Sequence, residues 1–145
     1  MQIRFKIARE VEEMLAAFPL IIQLTPTIKM NFYVSCLNEM VKNGYFQIHV
    51  FDEQNNLIAV SGIWIGAKLY CGKYLEMDNV VVDQSYRSKG IGEELYLYIE
   101  QLANHNQCSV IMLDAYKENT RAHDFYTKFG FVARGFHFIK QLNHE

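Results

Sequence analysis

The residues best suited to chemistry lie in a short basic loop between a buried strand and an amphipathic helix. The loop reads Arg-Ser-Lys-Gly-Ile-Gly over residues 87–92, and the helix begins within it. The first amides of a helix lack an intrahelical acceptor, and the helix dipole places partial positive charge beside them. Glycine allows an anion to approach the backbone closely. The pattern predicts a phosphate-binding loop, although two glycines with solvated basic residues also fit a simple tight turn.

Two carboxylates precede this loop on the same predicted strand. Glu76 and Asp78 are two residues apart, so we expect their side chains to face one side of the sheet, alongside Val80 and Val82. Either carboxylate is a candidate general base, and a base acting through a water relay is a third option. A solvated strand-end charge at Glu76 and a structural hydrogen bond at Asp78 are the plainer alternatives.

Hydrophobic periodicity places these groups in an α/β (α+β) arrangement. The predicted element order is β-α-α-β-β-β-α-β-α-β-β, and strands linked by both hairpins and helices predict a mixed sheet of about seven strands flanked by four helices. Pro19 should end or bend the first helix, and Thr25-Pro26 fits the start of the second. The predicted strands cover 3–8, 46–50, 57–65, 74–82, 110–115, 131–134 and 136–142.

Length and composition narrow the class of protein. The 145 residues predict a single domain over 1–145. A net charge of −2 argues against a nucleic-acid partner. Three widely spaced cysteines and no CxxC pair predict neither disulfides nor a metal site. With no signal-like N-terminus and no run of about 18 apolar residues, we expect a cytoplasmic protein without a membrane partner.

Two motifs together carry a resemblance to a known family. The segment Tyr-Arg-Ser-Lys-Gly-Ile-Gly at 86–92 resembles the acetyl-CoA-binding motif of the GNAT superfamily of N-acetyltransferases, Gln/Arg-x-x-Gly-x-Gly/Ala. The preceding Val-Val-Val-Asp at 80–83 resembles the strand before that motif. Residues 119–131 resemble the family's second signature, with Asn119, Ala122, Phe125-Tyr126 and Gly130-Phe131 in the matching places. Ser88 departs from the glycine that many members carry there.

The resemblance implies a GNAT-like fold, acetyl-CoA as co-substrate without a metal, and direct acetyl transfer to a primary amine. It implies a catalytic acid at Tyr126 and a catalytic base at Asp78 or Glu76. The strand residues would pair with the pantetheine arm through their main chain, and the loop amides would bind the pyrophosphate. The implied cofactor-binding residues are Val80, Val81, Val82, Arg87, Ser88, Lys89, Gly90, Ile91, Gly92, Asn119 and Tyr126.

The acceptor is the least defined part of the expected function. The two carboxylates favour a cationic amine, either of a small molecule or of a peptide, and the sequence does not choose between them. Acyl groups other than acetyl also remain open. The resemblance implies a homodimer. A CoA-binding sensor or regulatory module without catalysis is the main alternative, and a plain scaffold or dimerisation domain is a third.

Overall fold

The computed structural model describes residues 1–144. It divides into two compact units, Met1–Met112 and the segment from Leu113 onward. The helical elements are α1 (Val11–Met14), α2 (Phe18–Leu24), α3 (Met30–Lys42), α4 (Ile91–His105) and α5 (Thr120–Lys128). The strands are β1 (Arg4–Ala8), β2 (Phe46–Phe51), β3 (Leu57–Lys68), β4 (Gly72–Val82) and β5 (Val110–Leu113). That residues 1–145 form one domain stays a prediction.

The strands form one mixed sheet in the spatial order β1-β2-β3-β4-β5. The first four are antiparallel neighbours, and the connection from β4 to β5 passes through α4. The prediction of a mixed α/β fold with four helices is confirmed, since a 3₁₀ turn at Leu15–Ala17 joins α1 and α2 into one helical segment. The prediction of about seven strands is wrong, because the sheet has five strands within residues 1–144.

The two missing strands are those predicted at 131–134 and 136–142. Residues 131–144 contain no strand, and Phe136 and Phe138 are 91% and 92% exposed. Alternating apolar residues determine which way side chains would face, but a strand also needs a partner for its backbone N–H and C=O groups. Within the described part of this segment no such pairing forms, so the alternation alone is insufficient.

The β3–β4 hairpin is longer than the strands predicted at 57–65 and 74–82, because Gly66 belongs to the ladder. Gly66 pairs with Tyr74, and a Cβ at Gly66 would lie 2.7 Å from the Tyr74 hydroxyl. The missing side chain makes room for the tyrosine ring of the neighbouring strand. The hairpin therefore continues to Lys68 and resumes at Gly72, leaving only Leu69–Cys71 as the turn.

The proline signals mark different boundaries from those predicted. Pro19 lies in the first turn of α2, where its missing N–H costs no helical hydrogen bond. Thr25 ends α2, since its N–H donates to the Ile21 carbonyl at 2.8 Å. The second helix begins later than expected, at Met30, because Lys29 before it is still extended with φ −102° and ψ 150°. The Thr-Pro pair thus starts a turn and not a helix.

The main core packs the early helical segments against the sheet. Tyr33 and Leu37 of α3 are buried there with β3 and β4 side chains, and each fully buried aliphatic side chain contributes about 1.5–3 kcal/mol. α4 packs against β3 and β4 and buries Ile91, Leu95 and Ile99. The cluster comprises Ala8, Met14, Ala17, Leu20, Ile21, Tyr33, Leu37, Tyr45, Val60 and Val81. Within residues 1–144, no helix has the length and apolar character needed to span a membrane.

Candidate functional site

The basic loop connects β4 to α4, as the phosphate-site prediction requires. β4 ends at Val82 and α4 begins at Ile91, with Gly90 as N-cap in the left-handed region at φ 82°. The N–H of Glu94 donates to the Gly90 carbonyl at 3.1 Å. The three N–H groups before it, at residues 91–93, therefore have no intrahelical acceptor. Their position at a helix N-terminus suits an anion.

The backbone of the loop is strained at Ser88, which adopts φ 64° without being glycine. This left-handed conformation costs roughly 1–2 kcal/mol for an L-residue. Glycine would reach this conformation without strain. Surrounding contacts must hold the loop in this shape.

The two cations of the loop each contact a neighbouring part of the chain. The Nε of Arg87 donates to the Val82 carbonyl at 3.3 Å, and the Nζ of Lys89 lies 5.3 Å from the centre of the Tyr86 ring. Arg87 and Lys89 are both exposed. They are therefore held near the loop while remaining open to a charged ligand.

One loop contact was missed by sequence reasoning. The Tyr86 hydroxyl donates to Oδ2 of Asp52 at 2.6 Å, although 34 residues separate the two. Residues 52–56 lie between the strands predicted at 46–50 and 57–65. No local pattern links this turn to the loop, since only the pairing of β3 with β4 brings them together.

The strand before the loop contains a bulge. Gly62 pairs with Asp78, and Val60 pairs with Val81, so two β4 residues oppose Ser61 alone. The bulged residue Asn79 has φ 52°. Because a bulge adds one residue to a strand, the alternation of side chains shifts there.

The bulge corrects the predicted common face of β4. Val81, and not Val80, is buried in the main core near Tyr45 and Trp64, so the face that carries Glu76 and Asp78 does not continue through Val80 and Val82. Strict alternation from residue 76 to 82 would hold only in a regular strand. The expectation remains valid for Glu76 and Asp78, which both precede the bulge.

Asp78 is positioned by an aromatic side chain of the neighbouring strand. The Nε1 of Trp64 donates to Oδ2 of Asp78 at 3.1 Å, and the Trp64 ring lies 5.1 Å from that of Tyr45. Glu76 pairs across the ladder with Trp64 and is half-buried, as is Asp78. The two carboxylates therefore lie on the same side of the sheet as this indole.

A buried polar network reaches Asn79, the residue after Asp78. The Gln47 amide nitrogen donates to the hydroxyls of Tyr33 at 3.1 Å and Tyr45 at 3.2 Å. The Tyr45 hydroxyl in turn contacts Oδ1 of Asn79 at 3.3 Å. Burial raises the pKa of both tyrosines, which stay protonated at neutral pH. The network therefore links α3 and β2 to the bulge of β4.

His49 belongs to this network and not to an open pocket. Its Nε2 lies 2.8 Å from Oε1 of Gln47, and its side chain is 2% exposed. Burial, and secondly Lys6, lowers the His49 pKa from 6.5 to about 4. The imidazole is therefore neutral at pH 7 and has a structural role.

The second motif forms a capped helix in the unit from Leu113 onward. Oδ1 of Asn119 accepts the Ala122 N–H at 3.2 Å as the N-cap of α5. Tyr126 is half-buried and packs edge-on against Phe125 and Phe131, with ring centres 5.2 and 5.4 Å apart. Burial raises the pKa of Tyr126 to about 12. Its hydroxyl is therefore protonated at neutral pH, as an acid must be.

Cysteine chemistry and metal chemistry have no assembled site in residues 1–144. Cys36, Cys71 and Cys108 are unpaired and half-buried, and burial raises the Cys108 pKa. A raised pKa lowers the thiolate fraction and so makes Cys108 a poorer nucleophile. Over the same residues, no three metal-ligating side chains cluster together.

Sequence comparison with known proteins identifies relatives of this chain. The sequence profile described as the acetyltransferase (GNAT) family matches residues 13–131. Glucosamine 6-phosphate N-acetyltransferase 1 of Dictyostelium discoideum is 27% identical over 108 residues, covering 71% of this chain and 67% of that protein.

Two solved structures share the fold over almost their whole length. Glucosamine-6-phosphate N-acetyltransferase from Arabidopsis thaliana has a TM-score of 0.71 at 23% identity, covering 97% of this chain and 99% of that one. An aminoglycoside antibiotic 6'-N-acetyltransferase from Acinetobacter baumannii has a TM-score of 0.79 at 17% identity, covering 98% and 100%. At these identities the likeness is one of fold.

Proposed function

Because the chain belongs to the acetyltransferase (GNAT) family and is an N-acetyltransferase, we propose that it transfers acetyl from acetyl-CoA directly to a primary amine of a small molecule. The observation that carries the proposal is the strand-loop-helix connection at 82–91, with unpaired helix amides beside Arg87 and Lys89. Family members use acetyl-CoA. The CoA pyrophosphate would bind the backbone amides of residues 87–92.

The strand and the second motif would bind the rest of the cofactor. The main chain of Val80, Val81 and Val82 would pair with the pantetheine arm. Asn119 would contact that arm or orient the site, although its side chain also caps α5. The bulge at Asn79 supports an oxyanion donor near Val80, because a bulged residue leaves the strand ladder locally unpaired.

The reaction needs a base and an acid. An alkylamine has a pKa near ~10.4, so at pH 7 only about one molecule in a few thousand is neutral. The base, Asp78 or Glu76, acting directly or through water, takes one proton from the ammonium group, and the neutral nitrogen then attacks the thioester carbonyl. The C–S bond breaks, and the departing thiolate takes the proton of Tyr126. The second proton lost by the nitrogen restores the Tyr126 hydroxyl, and the base releases its proton to solvent. The products are the amide and free CoA.

A cationic small-molecule amine is the acceptor we propose. Two half-buried carboxylates on one face of β4 favour a cation. Two of the relatives are named as a glucosamine 6-phosphate and an aminoglycoside acetyltransferase, which supports an amino sugar over a peptide. A peptide amine remains an outcome of the acceptor screen.

A homodimer is part of the proposal. Several large apolar side chains in residues 132–142 are exposed, and exposed apolar patches mark interaction sites. Sedimentation equilibrium of the whole chain tests this expectation, and a monomer at micromolar concentration would contradict it. The exposed residues are Val132, Phe136, Phe138, Ile139 and Leu142.

Two measurements test the function. Isothermal titration should show acetyl-CoA binding in the micromolar range, and its absence would overturn the cofactor assignment. An acceptor screen of amino sugars, aminoglycosides, polyamines, amino acids and peptides should then release free CoA with at least one amine. Tight cofactor binding without CoA release for any amine would favour the regulatory module instead.

A further inference from the structure

The turn between β2 and β3 presents a carboxylate to the phosphate-binding loop. Asp52 follows β2 directly and is 6% exposed. Its Oδ2 accepts a 2.6 Å hydrogen bond from the hydroxyl of Tyr86, the residue immediately before Arg87. A tyrosine–carboxylate bond of this length is a charge-assisted contact, stronger than a bond between neutral groups. It therefore fixes the start of the loop against a distant hairpin.

The carboxylate of Asp52 is also held in place by hydrogen bonds within its own turn. Its Oδ1 accepts the backbone N–H groups of Gln54 at 2.9 Å and Asn56 at 2.8 Å. Its Oδ2 also accepts the Asn56 side-chain amide at 3.1 Å. The hydrogen bond from Tyr86, followed by those from Asn56, lowers the Asp52 pKa to about 2. The acceptor is thus charged and oriented throughout the neutral range.

Tyr86 restrains the loop through two further contacts. It ends the 3₁₀ turn Gln84–Tyr86, in which its N–H donates to the Asp83 carbonyl at 2.8 Å. Its ring lies under the Lys89 ammonium at 5.3 Å. Ser88, between them, is in the left-handed region, and such strain persists only where neighbouring contacts fix the backbone. Tyr86, two residues before Ser88, supplies such contacts through Asp52 and Lys89.

We propose that Asp52 is a positioning residue for CoA binding, acting through Tyr86 to hold the loop in its anion-binding shape. The proposal rests on the proposed function, because it requires the CoA pyrophosphate to bind residues 87–92. Asp52 itself contacts neither cofactor nor acceptor. The alternative is that the Asp52–Tyr86 bond only stabilises the fold.

The two alternatives differ in their dependence on the pyrophosphate. S-acetylpantetheine carries the thioester and the pantetheine arm but neither the pyrophosphate nor the adenosine 3'-phosphate of acetyl-CoA. A loop-positioning role therefore predicts weaker binding of acetyl-CoA with little change for S-acetylpantetheine. A purely structural role changes both affinities alike. The ratio of the two affinities, measured in one sample, does not depend on how much of a variant is folded.

Tyr86→Phe is the clean variant, because it removes the hydroxyl and keeps the ring under Lys89. We expect its dissociation constant for acetyl-CoA to rise about 5- to 20-fold and that for S-acetylpantetheine, titrated at millimolar concentration, to change less than twofold. Asp52→Asn should behave in the same way. Tyr96→Phe is the matched control, since it removes a tyrosine–carboxylate bond to Glu100 within α4. Its affinity ratio should equal that of the wild type.

The outcomes separate this inference from the function on which it rests. Equal losses for the two ligands in Tyr86→Phe, or no loss for either, would overturn the positioning role while leaving acetyl-CoA binding intact. A wild-type protein that binds S-acetylpantetheine as tightly as acetyl-CoA would instead overturn the assignment of the loop to the pyrophosphate. A wild-type protein that binds neither ligand would overturn the proposed function.

Discussion

The indole nitrogen of Trp64 lies 3.1 Å from Oδ2 of Asp78, across the β3–β4 ladder. This bond orients one carboxylate oxygen of Asp78, and Glu76 has the same tryptophan as its cross-strand neighbour. A general base must hold a fixed position relative to the proton that it accepts. The bond from Trp64 gives Asp78 such a position, and variants of Asp78 and Glu76 test which of the two is the base.

Asp78→Asn should lower kcat about 10²-fold, because general-base catalysis typically contributes that much or more. The dissociation constant of acetyl-CoA should stay within a factor of two. Stopped-flow or steady-state release of free CoA, with an amine found in the screen, measures the first quantity, and calorimetry measures the second. Glu76→Gln is the matched control and should change kcat less than tenfold. The reverse order of the two variants would make Glu76 the base.

Tyr126→Phe should slow transfer more than it weakens cofactor binding, by about 10²-fold in kcat. With a pKa raised to about 12, the hydroxyl is protonated below that pH and loses its proton only as the pH rises through it. The alkaline limb of the pH–rate profile below pH ~10 should therefore be the same in wild type and in the residual activity of the variant. Equal losses in kcat and in acetyl-CoA affinity would show that Tyr126 only packs.

Gly62→Ala should destabilise the fold by about 1–3 kcal/mol, as overpacking does. A Cβ at Gly62 would lie 2.4 Å from the hydroxyl and 2.6 Å from a ring carbon of Tyr45. Tyr45 is only 3% exposed and cannot swing away. Urea denaturation measures the change, and Gly135→Ala serves as control because its Cβ meets nothing within 4 Å. A neutral Gly62→Ala would mean that the Tyr45 ring is free to shift.

The stability of the fold should fall as the pH drops from about 6.5 to about 4, in part because of His49. The folded-state pKa of His49 is lowered to about 4 from 6.5, so over this interval the unfolded chain binds a proton that the folded chain does not. The contribution of His49 to the free energy of unfolding is therefore fully present above pH 6.5. It is lost as the pH falls towards 4, by roughly 3 kcal/mol for this difference in pKa. Burial and Lys6 lower the pKa, while Glu13 opposes them.

His49→Gln keeps a polar side chain beside Gln47 without a titrating group. Chemical denaturation at pH 7 and pH 4.5 should therefore show a smaller loss of stability in this variant than in the wild type. The exposed His105, changed to Gln, is the control and should keep the wild-type dependence. An unchanged dependence in His49→Gln would mean that His49 titrates normally.

Local sequence patterns predicted much of the order of helices and strands. The amphipathic helix predicted to begin within the basic loop corresponds to α4, because helix periodicity depends on neighbours within one or two turns. The strand predicted to end at residue 65 continues through Gly66, where glycine leaves room for the Tyr74 ring of the neighbouring strand. The bulge at Asn79 was also missed, because register is a property of two strands together.

The sequence by itself determined the family and indicated the candidate phosphate-binding loop, acid and bases, because these depend on residue types at short spacing. Only the tertiary structure decided that Trp64 binds Asp78, that Asp52 binds Tyr86, and that His49 is buried. Each of these contacts joins residues from different strands or turns, so strand pairing had to bring them together. The tertiary structure also showed that the alternating segment after Gly130 forms no strand, since pairing needs a partner that alternation does not supply.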